Sequence, residues 1–323
     1  MRSVMRGSKR LTTGVVAFTA YSTLMISLIS CSKSEKTLSE KPVQRTFASP
    51  QEAGAALVET MKSGDRNAVL AIFGPEGNEV VFSGDAVKDK DNFQDFVAAY
   101  DQMHRWREIK AGGEMLYTGA DNFAFPIPLG KNPSGQWYFD TAAGKDEILA
   151  RRIGKDELAA IAACKIVADA QKEYFDRALG GDHVKQYAQK LVSDEGKQDG
   201  LYWPVSAGAA PSPLQDLGDL AKAMGYSSSA GSNAQPFFGY YFRILTKQGD
   251  KAKGGAKDYV RDGKMTGGFA LLAYPAEYRN SGVMTFIVGV DGMVYQKDLG
   301  ENTGSTAPNL AEYNPTDGWS PAI

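Results

Sequence analysis

Apolar positions along the chain follow two periods. The clearest helical period runs through residues 156–179. Ala159, Ala163, Ile166, Val167, Ala170, Tyr174 and Ala178 share one face there, while Lys165, Asp169, Lys172, Glu173 and Asp176 fall elsewhere. Asp156 is placed to cap the start of this helix and Gly180-Gly181 to end it. Its small apolar residues predict close contact with a sheet. Upstream, Ser49-Pro50-Gln51-Glu52 has the order of a helix start, with Ala53, Ala56, Leu57 and Met61 as the buried face. A second short helix is expected over residues 66–73, stopped by Gly74-Pro75. A third is expected over residues 92–103, with Phe93, Phe96, Val97 and Tyr100 on one side. Residues 79–82 read as a short strand and the charged run 85–91 as a turn. Asp89-Lys90-Asp91 and Asp194-Glu195 read as solvated charge.

Period-two segments then take over, at residues 106–109, 114–117, 123–127 and 136–139. Residues 140–153 join this group to the central helix. Beyond it, short helices are expected over residues 183–192 and 214–224, the latter inside a Ser-, Gly-, Ala- and Pro-rich loop, 205–236. Strands follow at residues 238–245, 268–273, 283–288 and 293–297. Asp291-Gly292 between the last two is a strong hairpin signal. The insertion 246–267 is basic and Gly-rich and reads as a loop. Residues 300–323 read as a tail or as a strap over the sheet. The fold class is therefore α+β. Residues 49–153 form an N-terminal α+β domain, residues 154–300 a long helix packed on a C-terminal antiparallel sheet, and residues 301–323 a tail. The N-terminal pattern resembles the cystatin-like or nuclear-transport-factor-like arrangement of helices on a curved sheet.

The N-terminus changes the picture most. Arg2, Arg6, Lys9 and Arg10 precede an apolar run from Val15 to Ile29, with no acidic residue before Cys31. The run is too short and too rich in Ser and Thr for a stable span and has the form of a secretory signal. Leu28-Ile29-Ser30-Cys31 resembles the bacterial lipobox, which implies that residues 1–30 are removed and that Cys31 is lipidated. Residues 31–48 then form a polar tether. Ser32 stands where an Asp holds such proteins in the inner membrane. The resemblance therefore implies the periplasmic side of the outer membrane, with lipid as the membrane partner. Without residues 1–30 the 323-residue chain keeps 32 Lys and Arg against 38 Asp and Glu. That acidic balance argues against a nucleic-acid partner. Cys164 is the second of two cysteines and is left without a disulfide partner once Cys31 carries lipid.

Candidate chemistry is sparse. The common nucleophile-elbow, phosphate-loop, dinucleotide and zinc-protease motifs are missing from the sequence, and the chain has two histidines, His104 and His183. No cofactor, metal site or catalytic residue is expected. Arg151-Arg152 reads either as an anion site or as interdomain salt bridges with a solvated helix face. Trp203, Tyr241 and Trp319 read either as contacts for an envelope protein or cell-wall component or as core. The resulting expectation is a non-enzymatic binding or scaffold protein of the cell envelope. The alternative is a small-ligand carrier or cell-wall hydrolase using a pocket in the N-terminal domain. A deep pocket with converging carboxylates would favour the alternative. A shallow aromatic patch across the domain seam would favour the first.

Two resemblances complete the reading. Residues 164–174, then Gly239-Tyr240-Tyr241-Phe242, Ala273-Tyr274-Pro275, Gly282, Phe286 and Asp291-Gly292, resemble the globular part of type IV pilin-like and pseudopilin proteins. The chain lacks the long apolar assembly helix of those proteins, so filament formation is not implied. The second resemblance rests on Gly84-Asp85, Phe125-Pro126-Ile127-Pro128, Trp137-Tyr138-Phe139-Asp140-Thr141, Arg151-Arg152-Ile153-Gly154 and Gly268-Phe269-Ala270 through Tyr278. By these the mature chain resembles family 2950 of the domains of unknown function, which implies no activity.

Overall fold

The computed structural model describes residues 43–322, apart from 111, 181–182, 206–209, 224–225 and 227–234. The signal segment, Cys31, most of the tether and Gly181 lie outside the described residues.

The first helices form where capping chemistry places them. Helix α1, Pro50–Ser63, starts at Ser49, whose side chain accepts from the Glu52 amide while Glu52 accepts from the Ala48 amide. Helix α2, Arg66–Phe73, starts on the Asp65 carboxylate. Two expectations then fail. The strand expected at residues 79–82 is a short helix, α3, Gly77–Val81. The turn expected at residues 85–91 is the first part of helix α4, Ala86–Gln102, capped by Asp85. Neither segment pairs as a strand; the second is a helix because the Asp85 cap outweighs the low helix propensity of a charged run, while α3 has no side-chain cap.

An antiparallel sheet follows, with β1 His104–Glu108, β2 Glu114–Thr118, β3 Phe123–Ala124, β4 Leu129–Lys131 and β5 Trp137–Phe139. Its order is β1-β2-β4-β5, and β3 pairs with β2. Strand β4 escaped the sequence pattern because Gly130 interrupts it. Helices α1, α2 and α4 pack against this sheet around Phe47, Leu57, Val69, Ile72, Phe73, Leu116, Ile127 and Phe139, all nearly inaccessible.

The long helix begins earlier than its period indicated. Helix α5 spans Thr141–Asp176, 36 residues, capped by the Asp140 side chain on the Ala143 amide. At the usual rise it is about 54 Å long. Asp156 is therefore not its cap but an interior, fully buried residue. Gly154 passes through as ordinary helix with open space around it. The expected boundary after residue 153 thus falls inside α5, and the described body is one compact unit.

After α5, residues 183–192 run without helix, and Tyr187 forms a bridge with Met265. A short helix, α6 Gln215–Ala223, follows. The second sheet contains β6 Tyr240–Leu245. The insertion after it is ordered as two small ribbons, β7 Lys247–Gln248 with β8 Lys257–Asp258, and β9 Val260–Arg261 with β10 Lys264–Met265. The main strands are β11 Ala270–Pro275, β12 Met284–Gly289 and β13 Val294–Asp298, followed by helix α7 Thr303–Thr306 and β14 Ser320–Pro321. The order is β14-β13-β12-β11-β6, every pair antiparallel. The hairpin between β12 and β13 turns at Asp291-Gly292, where Gly292 has φ +75° and the Asp291 carboxylate accepts from the Met293 amide. Residues 303–321 form a strap: Thr303, Ala307 and Tyr313 are buried and β14 adds to the sheet edge. Helix α5 packs on β11, β12 and β13 through Ala160, Cys164, Val167, Ala168 and Tyr174. The fold is α+β, with antiparallel sheets at both ends of one helix.

Candidate functional site

The most heavily functionalised region lies where the start of α4 meets α5 and the edge of the second sheet. It is built from a local knot. Asp85 accepts the Val87 and Lys88 amides, each at 3.1 Å. Asp89 accepts the Ser83 amide at 3.0 Å and the Ser83 hydroxyl at 2.7 Å. These bonds turn the first turn of α4 inward, so Lys88 and Asp89 are only 5% and 6% exposed. Of the run read as solvated charge, Lys90 and Asp91 face water but Asp89 does not, and neither does Lys88 before it.

Lys88 Nζ meets Oδ1 of Asp156 on α5, an ion pair sealed from water on both sides. The second acid, Asp85, sits beside them. Its Oδ2 accepts the Tyr226 hydroxyl at 2.7 Å and the Gly239 amide at 3.3 Å. Gly239 is in the left-handed region at φ +74°, and a side chain there would meet Asp156 Oδ2 at 2.9 Å, so glycine is required on both counts. Phe238 covers the pair, its ring centre 5.9 Å from Lys88 Nζ.

Arg152 closes the other side. Its guanidinium donates to the carbonyls of Glu79, Val80 and Phe82 and to the Asn280 side chain. Asn280 in turn donates to Phe82 O at 2.9 Å and to Glu277. Glu157, one residue beyond Asp156, accepts the amides of Val283 and Met284 at 2.9 and 3.0 Å. These bonds join α3, α5 and the β11–β12 connection.

Burial dominates the electrostatics. It lowers Lys88 to about 8, helped by the nearby Lys155 charge and opposed by Asp85 and Asp89. It raises Asp89, against the Ser83 hydrogen bonds, and lowers Arg152, against Asp89 and Glu277. It also raises Tyr226, whose bond to Asp85 adds to the effect.

Above this network opens a cleft of about 520 Å³. It is lined by Asp89 and Glu277, by Phe82 and Phe93, and by Lys62, Arg66 and Lys90; of these Asp89 is buried and Glu277 and the three cations are exposed. Arg66 lies 3.9 Å from the centre of the Phe82 ring and bonds to Asn78, which holds its charge over the opening. Gly84, at φ +85°, lets the Glu277 carboxylate lie against the backbone. The cleft can hold a ligand with an apolar face and charged groups of both signs.

A family model described as "Protein of unknown function (DUF2950)" matches residues 44–322. The chain belongs to this family. Neither the curated proteins nor the solved structures hold a match to it. In this DUF2950 chain the residues singled out from sequence scatter. Arg151 is exposed, paired with Glu147 at 2.6 Å and lying 5.2 Å from the Phe123 ring centre. Arg152 belongs to the network above. Trp203 is buried in the second core at 6% exposure, Trp319 packs against that core, and Tyr241 is half-buried beside Tyr274. His104 stacks on Tyr100, with Nδ1 at 3.0 Å from the Tyr100 carbonyl, and His183 is exposed in a left-handed turn. Among the described residues no group of three His, Cys, Asp or Glu is arranged to hold a metal ion, and no helix is long and apolar enough to cross a membrane. Lys88, Asp85, Asp89 and Asp156 escaped the sequence reading. The available signal was Asp85 three residues before Lys88, an N-cap spacing that turns the next residues onto a helix.

Proposed function

We propose that this DUF2950 chain is a lipid-anchored, non-enzymatic binding protein of the bacterial envelope. Cys31 carries the anchor on the periplasmic side of the outer membrane, and the cleft at the α4–α5 seam is the binding surface. The observation that carries the reading is the cleft, whose lining includes Arg66 stacked on Phe82 and the two carboxylates of Asp89 and Glu277. A mixed-charge, partly aromatic opening matches an envelope protein or a peptide-bearing cell-wall component, with aromatic and Arg anchors supplying most of the affinity. The likeness of the C-terminal half to pilin-like globular domains enters as architecture only.

The test is recovery of partners from envelope extracts by the soluble form, residues 32–323, beside an Arg66→Glu, Lys90→Glu variant. The native surface is expected to retain a partner that the variant loses. Equal recovery by both would overturn the role of the cleft. A second reading, a small-ligand carrier or cell-wall hydrolase, is favoured by Asp89 and Glu277 both lining the cleft. Turnover of a cell-wall fragment, lost in Glu277→Gln, would establish it in place of the first.

A further inference from the structure

The pair beneath the cleft is unusual in what it lacks. Lys88 and Asp156 show 6% and 0% side-chain exposure. Neither Lys88 Nζ nor either carboxylate oxygen of Asp156 has a hydrogen-bond partner among the described residues. An ammonium carries three donors and a carboxylate can accept several bonds. A buried ion pair is tolerated only when such bonds offset the loss of water around both charges. Here the two groups have each other, with the Phe238 ring over them and the Asp85 carboxylate, itself bonded to other partners, beside them. Sequestration favours the neutral amine–acid form of the pair over the ionised one.

We propose that Lys88 and Asp156 are joined by an intramolecular amide bond, formed by the folded chain itself. Three observations converge on it. The nucleophile and the electrophile are in direct contact, with Nζ against the carboxyl group. A second carboxyl, Asp85, is held next to both: its Oδ2 takes the Gly239 amide, and Asp156 Oδ2 lies against the same glycine. The Phe238 ring and the buried Tyr226 keep water from the site. Burial also lowers Lys88 to about 8, which leaves a usable fraction of free amine near neutral pH.

The chemistry balances without an oxidant or co-reactant. The uncharged Lys88 amine attacks Cγ of the protonated Asp156 carboxyl. The Nζ–Cγ bond forms and a C–OH bond breaks. Asp85 accepts a proton from the amine nitrogen and delivers one to the departing hydroxyl. One water leaves, and the buried charges of the pair disappear with it. Asp85 acts on the reacting atoms and is held in place by Tyr226, a positioning residue. The product closes the chain between residues 88 and 156 into a covalent loop, which restricts the unfolded state as a disulfide would. That matters in a chain whose second cysteine, Cys164, is free. The inference is independent of what the cleft binds.

The experiment is peptide mass spectrometry on the full chain, purified from its envelope, denatured and digested with trypsin. The expected product is a branched peptide joining the segments that contain Lys88 and Asp156, lighter than their sum by one water, with no cleavage after Lys88. Linear peptides alone, including one that ends at Lys88, would overturn the bond. An Asp85→Asn variant, shown to be folded by circular dichroism, is expected to give the linear peptides. Branched peptide in native yield from that variant would remove Asp85 from the reaction.

Discussion

At the scale of single residues, charge in the sequence did not report exposure. In sequence Lys88 and Asp89 look like part of a solvated turn and Asp156 like a helix cap, yet each is buried because a cap or a partner from another element turns it inward. Cys164 is the opposite case. It behaves as a small apolar residue: it is fully buried in the second core, and burial pushes its thiol up to about 12. The folded protein is therefore expected to leave Cys164 unreactive toward a disulfide reagent at about pH 8, where an exposed thiol reacts through its thiolate. The same reagent should count it promptly after denaturation. Fast reaction in the native state would show that the helix face is open.

At the scale of elements, caps were legible and continuity was not. Ser49 and Asp291-Gly292 announce their structures because the signal is local, while Asp65 caps α2 without having been read as a cap. The start of α5 was missed because Gly144 and Gly154 look like breaks, and because Asp156 looks like a cap. The structure separates the two glycines. At Gly144 a side chain would meet the Pro126 carbonyl at 2.7 Å and the Ile127 Cα at 2.8 Å, whereas at Gly154 nothing lies within 4 Å. Gly144→Ala is expected to destabilise by about 1–3 kcal/mol through overpacking. Gly154→Ala is expected to stabilise by about 0.5–1 kcal/mol, since a helix interior favours Ala over Gly. Urea unfolding of both variants checks the pair. Equal signs would mean that α5 does not dock on residues 126–127 as described.

At the scale of the molecule, two cores share one helix. The first is packed by α1, α2, α4 and the N-terminal sheet, the second by the C-terminal half of α5 and the larger sheet. Their junction is polar, and Arg152 is its densest node, tying three carbonyls around α3 to Asn280 beside β12. Arg152→Met keeps the aliphatic bulk but removes the bonds to the Glu79 and Val80 carbonyls and to the Asn280 side chain, while Phe82 O keeps its bond from Asn280, at about 1–3 kcal/mol for each part-buried group left unpaired. The expected result is a loss of about 2–4 kcal/mol on chemical denaturation, with faster amide exchange over residues 77–84 and 280–284. Unchanged stability would show that the cores cohere without this node.

What the sequence determined by itself was whatever depends on neighbours in the chain: the α+β class, the cap of α1, the hairpin and most of the alternating strands. The apolar face of α5 was met only in part, since Ile166 is 44% exposed while Ala160, Ile161, Cys164 and Ala168 are buried. The tertiary structure decided which charges meet. Lys88 and Asp156 are 68 residues apart in number, Asp85 and Tyr226 farther still. No local period encodes such pairings, because a charged residue follows the helix on which it sits, and only packing against another element determines whether it ends in water or against a partner.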